Sequence, residues 1–200
     1  MRLFEVVDQR THVHLVMELC HGQSLFHHTK KLHEQRMPVA ECKEVFRQLM
    51  LGVGYMHSRG IAHRDLKLDN ILLNADTKKI KIIDFGFASE SAPQALTRNF
   101  CGTPHYMDPD IVRKTPYNPF ASDIWACGVI LYILYTGKLP FFAEFEADLY
   151  RKIQSGKFAP VPQDLPEPMI KNLFTQIFTT DSKRRPTADD VLRSAWVQAD

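Results

Sequence analysis

The sequence predicts an α+β fold in which two short strands come first and a mainly helical body follows. Residues 3–7 and 12–17 alternate in the way of β-strands around a turn-like segment at 8–11. Apolar residues at helical spacing dominate most of the remaining chain. With 44% hydrophobic residues in 200, there is enough apolar material for one domain with a core, which excludes general disorder.

The first predicted helix spans residues 24–34, with Ser24 as its cap. The clearest helix follows, because the apolar residues between Val45 and Met56 form one stripe. Pro38 suits the first turn of this helix, and Gly60 lies just beyond its end.

Two short strands are predicted next, at 71–73 and 80–83, joined by a hairpin turn at 74–77. Residues 84–110 show no periodicity, and a structureless segment of that length in a compact domain is usually functional. The rest is predicted to be helical: an apolar helix over 121–135, a striped helix over 170–178 and a final helix from Thr187 that carries Trp196.

Composition and charge exclude several classes of function. Twenty-five Lys and Arg against twenty-three Asp and Glu leave a mixed net charge of +2, without the basic footprint of a nucleic-acid-binding protein. The apolar run from Ile124 to Tyr135 is shorter than the roughly twenty residues of a membrane span, which favours a buried helix. The start of the chain is interrupted by charge at once and does not resemble a cleavable signal.

The cysteines and histidines do not predict a metal or disulfide framework. The four cysteines are scattered without C-x-x-C spacing, which is typical of thiols in a reducing compartment, so we expect an intracellular, cytoplasmic protein. His21, His27, His28 and His33 lie near Cys20 but match no closed zinc pattern, and we expect a solvated face there.

One stretch carries the residue types of phosphate chemistry. Residues 63–70 read H-R-D-L-K-L-D-N, and fourteen residues after Asn70 the sequence D-F-G begins at Asp84, directly after the second small strand. With this loop, order and spacing the chain resembles the protein kinase family, whose catalytic loop reads H-R-D-L-x-x-x-N. The D-F-G alone is weak evidence, but the combination is highly specific.

The resemblance implies a catalytic loop at 63–70, an activation segment at 84–110, and ATP and Mg²⁺ as cofactors. Asp65 would accept the proton of the substrate hydroxyl, and Lys67 would balance charge on the transferred group, as in kinases that phosphorylate Ser and Thr of protein substrates. Asn70 and Asp84 would hold Mg²⁺ through oxygen atoms.

Further segments are similar to those of kinases related to the calcium/calmodulin-dependent and AMP-activated group. The sequence C-G-T-P-H-Y at 101–106 implies that Thr103 hydrogen-bonds near Asp65 and Lys67. The D-x-W-x-x-G that begins at Asp123 implies an aspartate that binds the backbone of the catalytic loop, and R-P-T-A begins at Arg185.

The resemblance also implies an adenine site and a protein-kinase-like domain order. Met17 would be the gatekeeper, the backbone of Glu18 and Cys20 would meet the adenine, and Leu72 would lie beneath it. Residues 1–19 would be a remnant of the small lobe, its last two strands and the hinge, and residues 20–200 the large lobe.

The largest departure from the family pattern concerns the phosphate clamp. Aligned with kinases, the chain begins after the Gly-rich loop and the strand lysine, so we expect very weak or no catalysis and an unpaired strand edge. The expected function is therefore a Ser/Thr protein kinase present as a fragment. The alternative is a catalytically incompetent, kinase-like interaction module.

Smaller departures lie in the activation segment. The family's A-P-E is replaced by D-P-D, so we expect Asp110 to form the buried ion pair with Arg185. Because Asp is one methylene shorter than Glu, this pair is expected to be longer or bridged by water. Asn99 occupies the usual phosphothreonine position, where Arg64 would meet the phosphate. Thr97 is either an alternative phosphorylation site or an ordinary loop threonine.

His63 resembles a structural residue of the family that packs against Phe85, and we do not expect it to act as a base.

Overall fold

The computed structural model describes residues 2–165 and 168–199. Its strands are short and come early in the chain: β1 Leu3–Asp8, β2 Val13–Met17, β3 Gln23–Ser24, β4 Ile61–Ala62, β5 Ile71–Leu73, β6 Ile80–Ile82 and β7 Ser89–Glu90. Its helices are α1 Leu25–Thr29, α2 Val39–Ser58, α3 Pro109–Val112, α4 Pro119–Thr136, α5 Glu146–Ser155, α6 Pro168–Ile177, α7 Ala188–Leu192 and α8 Ala195–Gln198. The predicted α+β class, with a little β before a helical body, is confirmed.

β1 and β2 form an antiparallel hairpin that is exposed along most of its length. The apolar side chains on both strands face solvent to a large extent, with Phe4 at 59% and Val13 at 60% exposure. A second antiparallel sheet, in the order β3-β5-β6, lies against the helical body and includes the predicted hairpin. Its central strand β5 buries Ile71 and Leu73.

The first helix is shorter than the sequence pattern indicated. Ser24 caps α1 as expected, since its hydroxyl accepts the backbone N–H of His27. The helix nevertheless ends at Thr29, and a separate 3₁₀ turn at His33–Gln35 follows. Glu34 in that turn has a φ of 51°, in the left-handed region, so a continuous helix to residue 34 is wrong.

The core is built around α2 and α4, which pack against each other. The whole predicted stripe of α2 is buried. α4 begins at Asn118, whose side chain accepts two backbone N–H groups, and ends at Gly137 with a φ of 72°. α4 is long and apolar enough to cross a membrane, but 83% of it is buried inside the protein, as for a core helix.

The C-terminal helices close the body, in two pieces where one was predicted. Thr187 and Asp190 form a capping box that starts α7, as the sequence indicated for Thr187. α7 ends at Leu192, however, and Trp196 lies on the separate α8, where it is fully buried against Phe46.

Residues 84–110 are largely irregular, in agreement with their lack of periodicity. Two contacts tie this segment to the body. β7 pairs with β4, the strand that precedes the H-R-D-L sequence, and Thr97 forms an isolated β-bridge with Tyr117.

Candidate active site

The backbone of the loop at 63–70 is held by hydrogen bonds to Asp123 of α4. This carboxylate is 1% exposed and accepts the backbone N–H groups of His63 and Arg64, both at 2.8 Å. A third hydrogen bond, 3.0 Å long, joins the same side chain to His57 at the end of α2. Arg64 has a φ of 67°, a conformation that is uncommon outside glycine and needs such support.

Three side chains from two segments contact one another in this site: Asp65 and Lys67 of the loop, and Thr103 of the segment at 84–110. The Lys67 ammonium donates to Oδ2 of Asp65 at 2.7 Å and to the Thr103 hydroxyl at 3.1 Å. The Thr103 hydroxyl in turn donates to Oδ1 of Asp65 at 2.8 Å. The Asp65 carboxylate is therefore oriented on both oxygens, beside a fixed positive charge.

The residues expected to bind Mg²⁺ fit that ion chemically. The Asn70 amide nitrogen donates to the backbone oxygen of Asp65 at 2.9 Å, which leaves the amide oxygen available as a ligand. Asp84 has an exposed carboxylate and a φ of 63°, and Oδ1 also accepts the N–H of Gly86. Mg²⁺ is commonly held by one or two such oxygen groups together with substrate phosphates.

Within residues 2–165 and 168–199, no group of three or more His, Cys, Asp or Glu side chains could hold a metal ion by itself.

His63 is fully buried and has structural contacts on both ring nitrogens. Its Nε2 lies 3.0 Å from the carbonyl of Ile83, so Nε2 carries the proton, and Nδ1 accepts the N–H of Asp65 at 3.3 Å. The ring packs against Phe85 with centroids 5.1 Å apart. This is the packing that the resemblance implied for His63.

The segment expected to bind adenine follows β2 directly. Glu18 is held by the N–H of Arg2 and by Lys81, whose hydrogen bond lowers the pKa of Glu18. The Cys20 thiol lies 3.7 Å from the carbonyl of Glu18. Met17 is 42% exposed, and Leu72 is half-buried in β5.

Comparison with known proteins adds independent evidence to this geometry. The family model of the protein kinase domain matches residues 1–197. The chain belongs to the protein kinase family.

The relatives that it matches are kinases, among them proteins named as serine/threonine-protein kinases. It is 38% identical over 198 residues to the probable serine/threonine-protein kinase HSL1 of Saccharomyces cerevisiae, covering 99% of this chain and 13% of that protein. It is 38% identical over 195 residues to sperm motility kinase 3A of Mus musculus, covering 98% of this chain and 38% of that protein. It is 36% identical over 200 residues to CBL-interacting protein kinase 19 of Oryza sativa subsp. japonica, and the match again covers 98% of this chain and 38% of that protein. By family it is an ATP-dependent Ser/Thr kinase domain, and it spans well under half the length of these relatives.

In this kinase domain, the Arg64 side chain is bound by a backbone carbonyl of the activation segment. The Arg64 guanidinium donates to the carbonyl of Phe87 at 2.6 Å, and it forms no ion pair with the residues that the structure describes. Asn99 contributes its carbonyl to the Tyr117 hydroxyl at 2.9 Å. The Thr97 hydroxyl accepts the N–H of Asn99 at 3.1 Å, and Thr97 pairs with Tyr117 through its backbone.

The prediction that Asp110 forms an ion pair with Arg185 is wrong. Arg185 donates to Asp108 at 2.9 Å, and both side chains are fully buried. Asp110 lies closer to the surface, where it accepts a hydrogen bond from Ser182 at 3.0 Å. The reason is geometric: Asp108 precedes α3 and points into the body, whereas Asp110 lies within the first turn of that helix.

Sequence reasoning missed two contributors to the site, His57 and Asp108. His57 is the penultimate residue of α2, and no local pattern reveals that its ring reaches Asp123. Asp108 could have been suspected from its type, because an acidic residue replaces the small residue of the family motif two positions from the expected acid.

Proposed function

We propose that this kinase domain transfers the γ-phosphate of ATP to Ser and Thr hydroxyl groups of proteins. The single observation that carries the proposal is the hydrogen-bonded cluster of Asp65, Lys67 and Thr103, which joins a carboxylate base, a cation and the activation segment. The relatives named above support the Ser/Thr class.

The geometry suggests a division of roles in the reaction. The substrate hydroxyl oxygen forms a bond to the γ-phosphorus while the bond to the leaving oxygen of ADP breaks, and the hydroxyl proton passes to Asp65. Asp65 is suited to this because Lys67 and Thr103 fix both of its oxygens. The Lys67 ammonium, 23% exposed, lies where it can offset negative charge on the transferred group.

Asn70 and Asp84 are the residues that would hold Mg²⁺. When bound, the ion neutralises phosphate charge as the leaving group departs. Asn70 has a second function that the structure displays directly, because its amide also donates to Oδ2 of Asp65 at 3.3 Å. Its side chain therefore connects the base to the proposed metal site.

We also propose that the protein acts inside the cell. The four cysteines, all within the described residues, form no disulfide. Burial raises the pKa of the Cys127 thiol well above its usual range, so this thiol stays protonated and unreactive.

Nucleotide binding is the first test. We expect ATP with Mg²⁺, at about ten times its Kd, to raise the Tm of the purified chain by about 3–6 °C. Asp84→Asn removes the carboxylate and should abolish most of the rise, while the matched variant Asp76→Asn, on the exposed hairpin turn, should keep it. A chain whose Tm does not change at millimolar ATP would contradict the proposal.

Phosphotransfer is the second test. These 200 residues contain no G-x-G-x-x-G, so we expect slow incorporation of labelled phosphate into a Ser/Thr peptide library, measured at high protein concentration. Asp65→Asn should lower the rate by about 10²-fold or more while the ATP-dependent Tm shift persists. Equal rates in the two proteins would refute Asp65 as the base. ATP binding without any incorporation would favour a non-catalytic interaction module.

A further inference from the structure

The carboxylate of Asp108 contacts two separate parts of the kinase. Its Oδ1 accepts the backbone N–H of Ile111 at 2.9 Å, which caps α3. Its Oδ2 accepts from Arg185 at 2.9 Å. Asp108 lies near the end of the activation segment. Its one buried side chain thus caps the next helix and also binds a residue 77 positions further along the chain.

Arg185 is held firmly at the other side of this pair. Its guanidinium also donates to the carbonyls of Ala121 at 2.8 Å and Thr179 at 3.1 Å, and it lies over the Trp125 ring at 5.0 Å. Among the described residues, Asp108 is the one carboxylate within ion-pair distance of it. Loss of the Asp108 charge would therefore leave a buried guanidinium without an anion, which is strongly destabilising.

The acid two positions later has no comparable role. Asp110 shares its carboxylate between the Ser182 hydroxyl at 3.0 Å and the Arg113 guanidinium at 3.7 Å, and its side chain is 20% exposed. Exposed or partly exposed pairs of this kind contribute little to stability.

The Asp108 anchor lies five residues after Thr103 in the chain. Thr103 contacts Asp65 and Lys67, and the turn at Pro104–Tyr106 joins it to Asp108. Within that turn the N–H of Tyr106 bonds to the carbonyl of Thr103 at 2.9 Å. We therefore expect a displacement of Asp108 to displace Thr103 as well.

We propose that Asp108, through its buried pair with Arg185, is the positioning residue that fixes the substrate-binding end of the activation segment. This role was expected for Asp110. The inference about substrate rests on the proposed kinase function, whereas the ion pair itself can be tested without any activity.

The test of the pair compares the melting temperatures of Asp108→Asn, Asp110→Asn, Arg185→Met and the double variant Asp108→Asn with Arg185→Met. Asparagine keeps the volume and the capping oxygen at position 108, so the substitution isolates the charge. We expect Asp108→Asn to lower the Tm by about 10 °C and Asp110→Asn by less than about 3 °C. The double variant should melt several degrees above Asp108→Asn, because the buried cation is gone as well.

Two results would overturn the pair. One is a loss of Tm in Asp110→Asn as large as in Asp108→Asn. The other is strict additivity of the Asp108→Asn and Arg185→Met effects, since a direct pair produces coupling. If Asp108→Asn fails to fold alone, the double variant is compared with Arg185→Met: it should melt no lower, because the asparagine removes a buried carboxylate that has lost its cation. A double variant that melts well below Arg185→Met would contradict the pair.

The positioning role needs two further readouts. Amide hydrogen exchange at residues 101–107 should become at least about tenfold faster in Asp108→Asn than in Asp110→Asn. If the kinase transfers phosphate, KM for the peptide should rise about tenfold in Asp108→Asn with KM for ATP unchanged. Unchanged exchange at 101–107, or an unchanged peptide KM in an active protein, would refute positioning even if the ion pair is real.

Discussion

Asp123 accepts hydrogen bonds on both carboxylate oxygens from two other elements of the molecule. Oδ1 binds the N–H of Arg64, while Oδ2 binds the N–H of His63 and the ring of His57. The backbone of the catalytic loop is thereby fixed with Arg64 in its unusual left-handed conformation. At the scale of single residues, this buried acid is the support on which the position of Asp65 depends.

The substitution Asp123→Asn should be costly although it is nearly isosteric. One oxygen becomes an NH₂ group that faces a donor, so at least one buried N–H loses its partner at a cost of about 1–3 kcal/mol. We expect the Tm to fall by about 3–10 °C and amide exchange at 63–65 to accelerate. Asp76→Asn serves as the control, and a variant that melts within 1 °C of the parent would show that Asp123 does not support the loop.

The sequence grouped most residues of the candidate site correctly as neighbours, because the loop at 63–70 is contiguous. Asp65, Lys67 and Asn70 lie within six residues, and the resemblance also placed Thr103 and Asp123 near them. Asp108 was not predicted, because two acids two positions apart are equivalent in the sequence and only the direction of the chain entering α3 distinguishes them.

At the scale of elements, α4 and α6 approach so closely that a glycine is required between them. A Cβ on Gly128 would lie 2.3 Å from Cγ2 of Ile177 and 3.0 Å from the Phe178 ring. Both neighbours are buried and have little freedom to move. The close contact between these two helices therefore depends on the absence of one methyl group.

Gly128→Ala should destabilise the fold by about 1–3 kcal/mol through overpacking. Gly54→Ala is the matched control within α2, where a Cβ would meet Ala188 at 3.4 Å, an ordinary contact. The control should be neutral or stabilising by about 0.5–1 kcal/mol, because alanine favours helix. Urea unfolding of both proteins measures the difference, and equal free energies of unfolding would mean that α6 shifts to accommodate the methyl group.

Local periodicity predicted the long helices and failed for the shortest elements. α2, α4 and α6 were recognised because their apolar residues repeat over several turns. The strands β3, β4 and β7 have two residues each and exist only because a distant strand pairs with them, so no local signal marks them. The division between α7 and α8 at Arg193 and Ser194 was also missed, since the apolar pattern continues across it.

At the scale of the whole molecule, burial is distributed very unevenly. The helical body, with β5 and the loop at 63–70 packed against it, contains the cluster of buried apolar side chains, while the hairpin β1–β2 contributes none to it. An isolated two-stranded hairpin is marginally stable in water. The described protein therefore combines a well-packed body with a weakly supported ribbon next to the proposed adenine site.

We expect the hairpin to open independently of the body. Amide hydrogen exchange in β1 and β2 should be at least about 100-fold faster than in α2 and α4, because opening there exposes little buried surface. The amides of β5, whose side chains at 71 and 73 are buried, provide a strand control within the same molecule. Equal protection of β1–β2 and β5 would show that the hairpin is stabilised by more than its own pairing.

The hydrogen bond from Thr103 to Asp65 would make the proposed reaction depend on the position of a segment distant in the sequence. Thr103 belongs to the activation segment, yet its hydroxyl is one of the groups that hold the proposed base in place. If the segment detaches, Oδ1 of Asp65 loses the hydrogen bond from the Thr103 hydroxyl. We therefore expect the proposed phosphotransfer to stop when the activation segment detaches.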